Sequence, residues 1–499
     1  MGVNTWNSLR CEGVSSINLK RYTDKVVELG LDKLGYSYVN MDDCWATGRD
    51  PSTHRLVADP VAFPNGVKEV ADYVHSKGLK FGIYVDRGTK TCMGRPGSLG
   101  YEAIDAQTFS EWGIDYVKQD SCFAAQSRQA AIASYEVMRD ALNRSGRPIL
   151  FSVCGWNAWY APIGYGIANS WRISADSDDW THIYVAVRTN EGLAKYAGPG
   201  GFNDPDMLIG SATTAAIFVT PEQQRTQFSL WAIMSSPLLI GSNLLDISKH
   251  DLDTFSNKQV IAINQDPLAL QGSPIVSNCP ARKPREENYY HAYFFPDAKS
   301  HATLWNLLYL AIAFVVLALV IFKARCCRGV YGLREIDQTQ PDLTGLDGAP
   351  LSAGPTPRPR CPCSLARIRS AAVACSVVGA LVCAAVALYI YLNLDHVDAC
   401  QQIWAKALST NHGSDRAILF LNWAPQPMEM SCDKACMATL NFTGGACVRD
   451  VWEVGHQVMH QQAVHVNVSG NGGSSLFWFS PSESCGHHAV SEEVLEYFE

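Results

Sequence analysis

The sequence has no excess of basic residues and no metal-ligand motif. Its 499 residues include 40 Lys and Arg against 48 Asp and Glu, a formal net charge of −8, which excludes the basic surface typical of proteins that bind nucleic acid. The 13 histidines show neither His-Glu-X-X-His nor Cys/His ligand spacing, so we predict no metal and no cofactor. The glycine-rich run Ala197–Gly201 lacks the pattern of a phosphate-binding loop, and a turn explains it.

No signal peptide is visible in the sequence. Met1 is followed at once by Gly2–Asn7, which predicts a first strand. We infer that the native N-terminus was trimmed or mis-assigned. The 17 cysteines and the three sequons at Asn143, Asn441 and Asn467 nevertheless favour the secretory pathway, where disulfides form. The lysosome or vacuole, the cell surface and secretion all remain open as destinations.

The most informative pattern is a series of short apolar runs that each end in a carboxylate. Helical patterns such as Lys20–Leu34, Gly66–His75 and Arg128–Leu142 lie between them. Two further apolar runs, Ile149–Cys154 and Pro237–Ile240, predict additional strands. The runs that end in a carboxylate are Tyr38–Asp43, Phe81–Asp86, Tyr116–Asp120, Trp171–Asp176 and Asn203–Asp206.

Strands that alternate with helices in this way predict βαβ units, and eight such units close into a (β/α)8 barrel. The active sites of such barrels lie at the carboxyl ends of the strands, so these acids should point into one pocket. Several carboxylates around one polar pocket suit sugar hydroxyls and an oxocarbenium-like transition state. The pattern therefore favours a glycosidase over residues 1–272.

The composition changes after residue 272, where we expect a linker over 273–303. Two uncharged runs follow, 304–322 and 371–393, and each is long enough to span a bilayer as a helix. The intervening 323–370 holds eight Lys or Arg against four acids and is rich in Pro and Gly, which predicts a disordered cytosolic loop. The two runs thus predict a transmembrane hairpin with both folded domains lumenal or extracellular, and buried core helices are the alternative.

Short alternating segments return in the last hundred residues. Ala417–Leu421, Val464–Val468 and Leu476–Phe479, separated by Gly and Asn turns, predict an all-β domain over 394–499.

Seven stretches of the first 272 residues form an ordered set: Met1–Asn7, Val39–Trp45, Phe81–Tyr84, Asp115–Cys122, Trp171–Arg172, Gly200–Leu208 and Ala262–Leu268. In these stretches the chain resembles the α-galactosidases and α-N-acetylgalactosaminidases of glycoside hydrolase family 27. The resemblance implies a TIM barrel followed by a C-terminal antiparallel β-sandwich, into which the predicted hairpin is inserted. No counterpart of residues 273–400 is known to us in that family.

The resemblance also implies a retaining mechanism with Asp120 as nucleophile and Asp176 as acid/base, about 5 Å apart. Lys118 and Arg172 would help to keep Asp120 ionised. Asp176 must instead hold a proton in the free enzyme, so its surroundings should raise its pKa.

The sugar-binding residues are implied in the same way. Asp42 and Asp43 match residues that hold the galactose 4- and 6-hydroxyls, and Trp6 would cover the apolar face of the ring. Tyr84, Lys118, Arg172 and Asp206 match other sugar-binding residues, and the implied disulfides are Cys11–Cys44 and Cys92–Cys122.

Each assignment has a plainer alternative. An aspartate at a strand end can cap the next helix, and we expect capping or solvation for Asp86, Asp178 and Asp179. Trp6 could belong to the core, and Asp204 before Pro205 is expected to be a turn residue.

The sequence departs from the family at four places. Val3 replaces the usual tryptophan, Gly155 stands where relatives often carry a polar group near the sugar 2-substituent, and Cys154 lacks an evident disulfide partner. The fourth departure is the inserted 273–400 segment, which is either native or the product of a defective gene model.

The expected function is hydrolysis of terminal α-galactosides. The alternatives are an α-N-acetylgalactosaminidase, another family activity such as a β-L-arabinopyranosidase, and a catalytically silent glycan-binding membrane protein. A carbohydrate substrate is expected in the enzymatic cases, a membrane is expected as a partner through the hairpin, and the oligomeric state is open, with a homodimer as one candidate.

Overall fold

The computed structural model describes residues 1–281, apart from 126 and 211–218, and residues 397–485, apart from 454–458. All of them belong to one compact unit. The predicted transmembrane segments 304–322 and 371–393, with the loop 323–370 between them, lie outside the described residues. Within the described ranges, no helix combines the length and the apolar character needed to cross a bilayer.

Eight parallel strands form the N-terminal sheet, in the order β10-β1-β2-β5-β6-β7-β8-β9. The two end strands meet through a parallel bridge between Leu208, just after β9, and Ile240 in β10, which closes the sheet into the expected barrel. The remaining pair, β3 and β4, forms a separate hairpin. The strands are β1 Gly2–Asn4, β2 Tyr38–Asn40, β3 Ala46–Arg49, β4 Leu56–Ala58, β5 Lys80–Asp86, β6 Tyr116–Asp120, β7 Leu150–Val153, β8 Ser170–Arg172, β9 Phe202–Asp204 and β10 Leu239–Ile240.

Several helices between the strands begin at side-chain caps that the sequence supplies. Ser15 and Ser127 each accept a hydrogen bond from a first-turn backbone N–H, and Thr220 forms a capping box with Gln223. The helix expected over Lys20–Leu34 begins earlier, at Ser16, and ends at Glu28 because Gly30 follows with φ +70°. The helices are α1 Trp6–Gly13, α2 Ser16–Glu28, α3 Gly66–Ser76, α4 Glu102–Trp112, α5 Arg128–Arg144, α6 Gly164–Ile167, α7 Trp180–Asn190, α8 Pro221–Ile233, α9 Lys249–Phe255 and α10 Lys258–Asn264.

The C-terminal region is antiparallel, as predicted. Its main sheet has the strand order β11-β12-β13-β18-β15-β16, and β14 pairs with β17. The elements are β11 Ser273–Ser277, β12 Gln401–Ala407, β13 Arg416–Asn422, β14 Met428–Cys432, β15 Ala446–Asp450, β16 Met459–Gln461, β17 Val464–Val468 and β18 Gly473–Pro481, with the short helices α11 Thr410–Gly413 and α12 Lys434–Thr439.

Strand β13 joins the two regions through its alternating faces. Leu419 and Leu421 pack in the core shared with the barrel, whereas Ile418 and Phe420 pack in a second core inside the β-domain. Successive side chains of a strand point to opposite faces, so a strand buried on both sides has a continuous apolar sequence.

The segment expected to begin a linker at residue 273 is instead strand β11. It pairs antiparallel with β12, with Ser277 opposite Gln402, and a disulfide joins Cys279 to Cys400. The C-terminal sheet therefore includes residues on both sides of 282–396, with β11 as its edge strand. Residues 279 and 400, near the two ends of that stretch, lie side by side.

Candidate active site

A small cavity lies at the carboxyl ends of the barrel strands. This is the position at which barrels of this type bind ligands. The cavity is lined by Trp6, Asn7, Asp42, Asp43, Tyr84, Cys92, Lys118, Asp120, Arg172, Asp176 and Met207. It thus brings together every expected catalytic and sugar-binding residue except Asp206, which contacts Arg172 from behind.

Asp120 ends strand β6 and is almost fully buried, with 6% of its surface exposed. The Tyr84 hydroxyl donates to its Oδ2 at 2.8 Å, and the backbone N–H of Ser121 donates to its Oδ1 at 3.0 Å. Burial raises the pKa of Asp120 to about 6, although the positive charge of Lys118 opposes this shift. Lys118 thus acts in the expected direction, but the loss of water around the carboxylate outweighs it.

Asp42 and Asp43 follow strand β2, where backbone and side-chain donors fix their orientations. Asp42 Oδ2 accepts hydrogen bonds from Lys118 Nζ and from Asn4 Nδ2, both at 2.9 Å. Asp43 accepts from the backbone N–H groups of Cys44 at 2.6 Å and Met93 at 3.0 Å. Burial raises the pKa of Asp43. These two carboxylates therefore form a rigid set of acceptors opposite the loop that carries Asp176.

Arg172 at the end of strand β8 lies between two acids. Its Nη2 contacts Asp176 Oδ1 at 2.9 Å, and its Nη1 contacts Asp206 Oδ1 at 2.8 Å. Asp206 has φ +90°, an unusual conformation for a residue other than glycine, and this backbone aims its carboxylate at the guanidinium. Burial raises the pKa of Asp206 to about 7 against the opposing charge of Arg172. Arg172 therefore holds the Asp176 carboxylate, which is partly exposed, in place.

Disulfides fasten the loops at the mouth of the cavity. Both implied pairs are present, Cys11–Cys44 and Cys92–Cys122, and Cys92 itself forms part of the wall. Asp86 lies close to Cys92 and Cys122, but the two sulfurs are bonded to each other and offer no thiolate to a metal.

The other acids have structural roles. Asp86 is fully buried rather than solvated, and it accepts from the backbone N–H groups of Gly88 and Cys122 at 2.6 and 2.8 Å. Asp179 caps helix α7, as expected. Asp204 accepts from the Asp206 N–H at 2.8 Å, which confirms the turn.

Two departures noted in the sequence can now be placed. Cys154 is buried and forms no disulfide. A Cβ atom at Gly155 would lie 2.0 Å from a ring carbon of Tyr160, so this tyrosine occupies the space that a side chain at position 155 would need.

Sequence reasoning did not identify Asn7 and Met207 as lining residues. Both fall inside stretches that match the family, Met1–Asn7 and Gly200–Leu208, and each lies three residues after a barrel strand ends. That position is the sequence feature that could have identified them. Neither residue type carries chemistry that would single it out without the fold.

A family model described as α-galactosidase A, the melibiase family, matches residues 7–266 of this chain. The chain belongs to this family. It is a glycoside hydrolase. The chain is 44% identical over 285 residues to a probable α-galactosidase of Dictyostelium discoideum and 45% identical to α-galactosidase 3 of Arabidopsis thaliana. Each alignment covers 56% of this chain, and they cover 70% and 62% of the two relatives.

Solved structures show the same family fold. A putative α-galactosidase of Bacteroides fragilis superposes with a TM-score of 0.67 at 26% identity, over 96% of this chain and 78% of that one. An α-galactosidase of Saccharomyces cerevisiae superposes with the same TM-score of 0.67 at 22% identity, over 97% of both chains. At that lower identity the likeness concerns the fold alone.

Proposed function

We propose that this family member hydrolyses terminal α-D-galactosyl residues of oligosaccharides and glycoconjugates by double displacement, with retention of configuration. The observation that carries the proposal is the pair Asp120 and Asp176 on the walls of one small cavity, each held by its own hydrogen-bond partner. The 41–45% identity to proteins named α-galactosidase supports the same sugar.

In this mechanism Asp120 attacks the anomeric carbon while Asp176 protonates the departing oxygen. The covalent galactosyl ester on Asp120 is then hydrolysed by a water molecule that Asp176 deprotonates. The Tyr84 hydroxyl and the Ser121 N–H orient the nucleophile, because each donates to a different Asp120 oxygen. Asp42 and Asp43 accept hydrogen bonds from the sugar hydroxyls, Trp6 covers the ring, and Lys118 and Arg172 complete the binding site.

Three measurements test the proposal. Purified protein is expected to cleave nitrophenyl α-galactoside, and the first product seen by NMR is α-galactose. A fluorinated mechanism-based galactoside should label the peptide that contains Asp120. Labelling of another residue, or β-galactose as the first product, would contradict the mechanism, and activity on neither the galactoside nor its N-acetylated analogue would favour the glycan-binding alternative.

The second candidate is an α-N-acetylgalactosaminidase, and one observation keeps it under consideration. Gly155 offers no side chain to a 2-hydroxyl, and Tyr160 fills the space beside it. The ratio of kcat/KM for nitrophenyl α-galactoside and its N-acetylated analogue decides between the two activities.

We propose further that the protein passes through the secretory pathway. Five disulfides link cysteines of the described residues, and the three sequon asparagines are all exposed. The uncharged runs 304–322 and 371–393 remain the proposed membrane hairpin. Carbonate extraction of the full chain tests this, because release into the soluble fraction would contradict a membrane anchor.

A further inference from the structure

One face of helix α7 (Trp180–Asn190) contacts the C-terminal β-domain along its whole length. The residues of that face are Trp180, Tyr184 and Arg188, followed by Glu191 directly after the helix. Their spacing of four, four and three positions places them in one line on a helix. The helix begins four residues after Asp176, so it directly follows the loop that carries the proposed acid/base.

At the first turn of α7, Trp180 contacts two segments of the β-domain. Its ring centroid is 5.3 Å from that of Trp423. The second segment contains Gly472, where an added Cβ would come within 2.0 Å of Trp180 Cζ2. Gly472 also has φ +88°, so a larger residue would be strained as well as obstructed. The partly buried indole therefore packs against residues that do not belong to the barrel.

Further along the helix the contacts become polar. Tyr184 packs edge-to-face on Trp423 with centroids 4.7 Å apart, and its hydroxyl donates to the Asp398 carboxylate. Arg188 is buried, and its guanidinium donates to the Tyr184 hydroxyl and to the Pro280 carbonyl, both at 2.6 Å. Such a buried, multiply bonded arginine resists displacement, because breaking its bonds would leave an unpaired buried charge.

The last contact lies just beyond the helix. Glu191 Oε1 accepts from Gln402 Nε2 in strand β12 at 2.8 Å. Together these contacts fasten the helix to the β-domain at both ends and in the middle.

The other end of the Asp176 loop is fastened to the barrel. Arg172 contacts Asp176 at 2.9 Å, and the Ser177 N–H donates to Asp206 Oδ2 at 2.7 Å. Asp179 caps the helix by accepting from the His182 N–H at 2.9 Å. The loop between Arg172 and Trp180 is therefore short. Asp176 and Ser177 attach it to the barrel, and helix α7, which packs on the β-domain, follows it directly.

We propose that the C-terminal β-domain positions Asp176 for proton transfer through helix α7, with Trp180 as the main positioning residue. This inference rests on the proposed role of Asp176 as acid/base. Proton transfer requires hydrogen-bond geometry to the leaving oxygen, and a displacement of about 1 Å can reduce a rate by about 10²-fold. The β-domain thus takes part in catalysis without contacting the substrate.

The experiment compares two substrates in the full-length protein. Departure of dinitrophenolate needs no proton, whereas departure of methanol from methyl α-galactoside does. For Trp180→Leu we expect kcat/KM on the methyl galactoside to fall by roughly 10- to 100-fold, with kcat/KM on the dinitrophenyl galactoside within about twofold of wild type. Added azide should restore kcat on the dinitrophenyl substrate, because azide attacks the galactosyl-enzyme without a general base.

Trp452→Leu is the matched control. Trp452 also bridges the two domains, but through helix α8: its Nε1 donates to Ser229 Oγ at 3.0 Å, and its ring contacts Phe228 and Arg225 of the same helix. We expect this variant to affect both substrates equally. A similar leaving-group dependence in Trp452→Leu, or an equal loss on both substrates in Trp180→Leu, would overturn the inference.

Two further variants keep the test decisive. If Trp180→Leu fails to fold, Tyr184→Phe replaces it, because this change removes only a hydroxyl from the same face. It should show a weaker version of the same substrate dependence. Equal effects on both substrates would overturn the inference. Asp176→Ala is the reference for the acid/base role and should show the strongest dependence. If Asp176→Ala shows no such dependence, the acid/base assignment fails and the positioning role fails with it. If Asp176→Ala shows the expected dependence but Trp180→Leu loses activity equally on both substrates, only the positioning role is rejected.

Discussion

The cavity of the barrel and the inner core of the β-domain differ in what they bury. Around the cavity, Asp42, Asp43, Asp120 and Arg172 are all largely buried. The inner core of the β-domain is built instead from apolar side chains such as Ile418, Phe420 and Phe479. Burying like charges together costs free energy, whereas burying apolar surface provides it. The difference indicates that the barrel end is shaped for chemistry and the β-domain core for stability.

The largest expected effect comes from Asp120→Asn. Removing the nucleophile should reduce kcat by about 10⁴-fold or more. The fold should become more stable at neutral pH, because Asp120 has a folded-state pKa of about 6, above its ordinary value of 3.8. A carboxyl group with a raised folded-state pKa lowers the free energy of unfolding as the pH rises from about 4 through about 6. The loss is at most about 3 kcal/mol once the group is ionised.

Thermal unfolding near pH 7 and near pH 4 measures the second part of this prediction, and the gain over wild type should shrink at the lower pH. Asp253→Asn, at an exposed carboxylate paired with Lys249, is the control. If Asp120→Asn were less stable than wild type near pH 7, burial of the ionised Asp120 carboxylate would not destabilise the fold, and the contrast with the β-domain core would fail.

The converse substitution is Phe420→Ala in the inner core of the β-domain. Phe420 is fully buried, with its ring 5.8 Å from that of Phe477, so truncation should destabilise the protein by about 3–5 kcal/mol. Activity per folded molecule should remain near wild type, because this side chain faces away from the barrel. Urea unfolding and active-site titration measure the two quantities, and a drop in kcat/KM of the folded fraction would erase the contrast.

A smaller effect is expected from pH alone. Asp120 must be ionised to attack, so kcat/KM should fall about tenfold per pH unit below about pH 6. Asp206, whose pKa is about 7, interacts with the same arginine as Asp176, so the measured midpoint belongs to the coupled group. A profile of kcat/KM against pH checks this prediction. An acidic limb near pH 4 would contradict it, because it would show that Lys118 lowers the pKa of Asp120 by more than burial raises it.

The smallest effect is expected from replacing residues 282–396 with a short Gly/Ser linker. Strands β11 and β12 are already paired, and the disulfide Cys279–Cys400 holds their ends together. We expect kcat/KM on nitrophenyl α-galactoside to stay within about twofold of the full chain. Loss of activity in a folded deletion variant would assign the inserted segment a role in the site.

Much of the candidate site could be predicted because its residues follow barrel strands. Asp120 ends β6, and Asp42 and Asp43 come directly after β2, so the apolar run and its terminal acid indicated both the strand and the pocket. The start of β11 at Ser273 was missed, since a five-residue strand whose partner residues in β12 lie 125 to 132 positions away leaves no local periodicity to detect.

By itself, the sequence determined the order of strands and helices, the acids at the strand ends and the apolar alternation of the β-domain, because these depend on neighbours along the chain. The tertiary structure decided the rest. It pairs Arg172 with both Asp176 and Asp206. It buries Asp120, which outweighs the effect of Lys118 on the pKa of that carboxyl group. It also brings Trp180 into contact with Trp423 and Gly472. Burial, charge coupling and contact between distant segments arise only when the chain is packed, so no local pattern carries them.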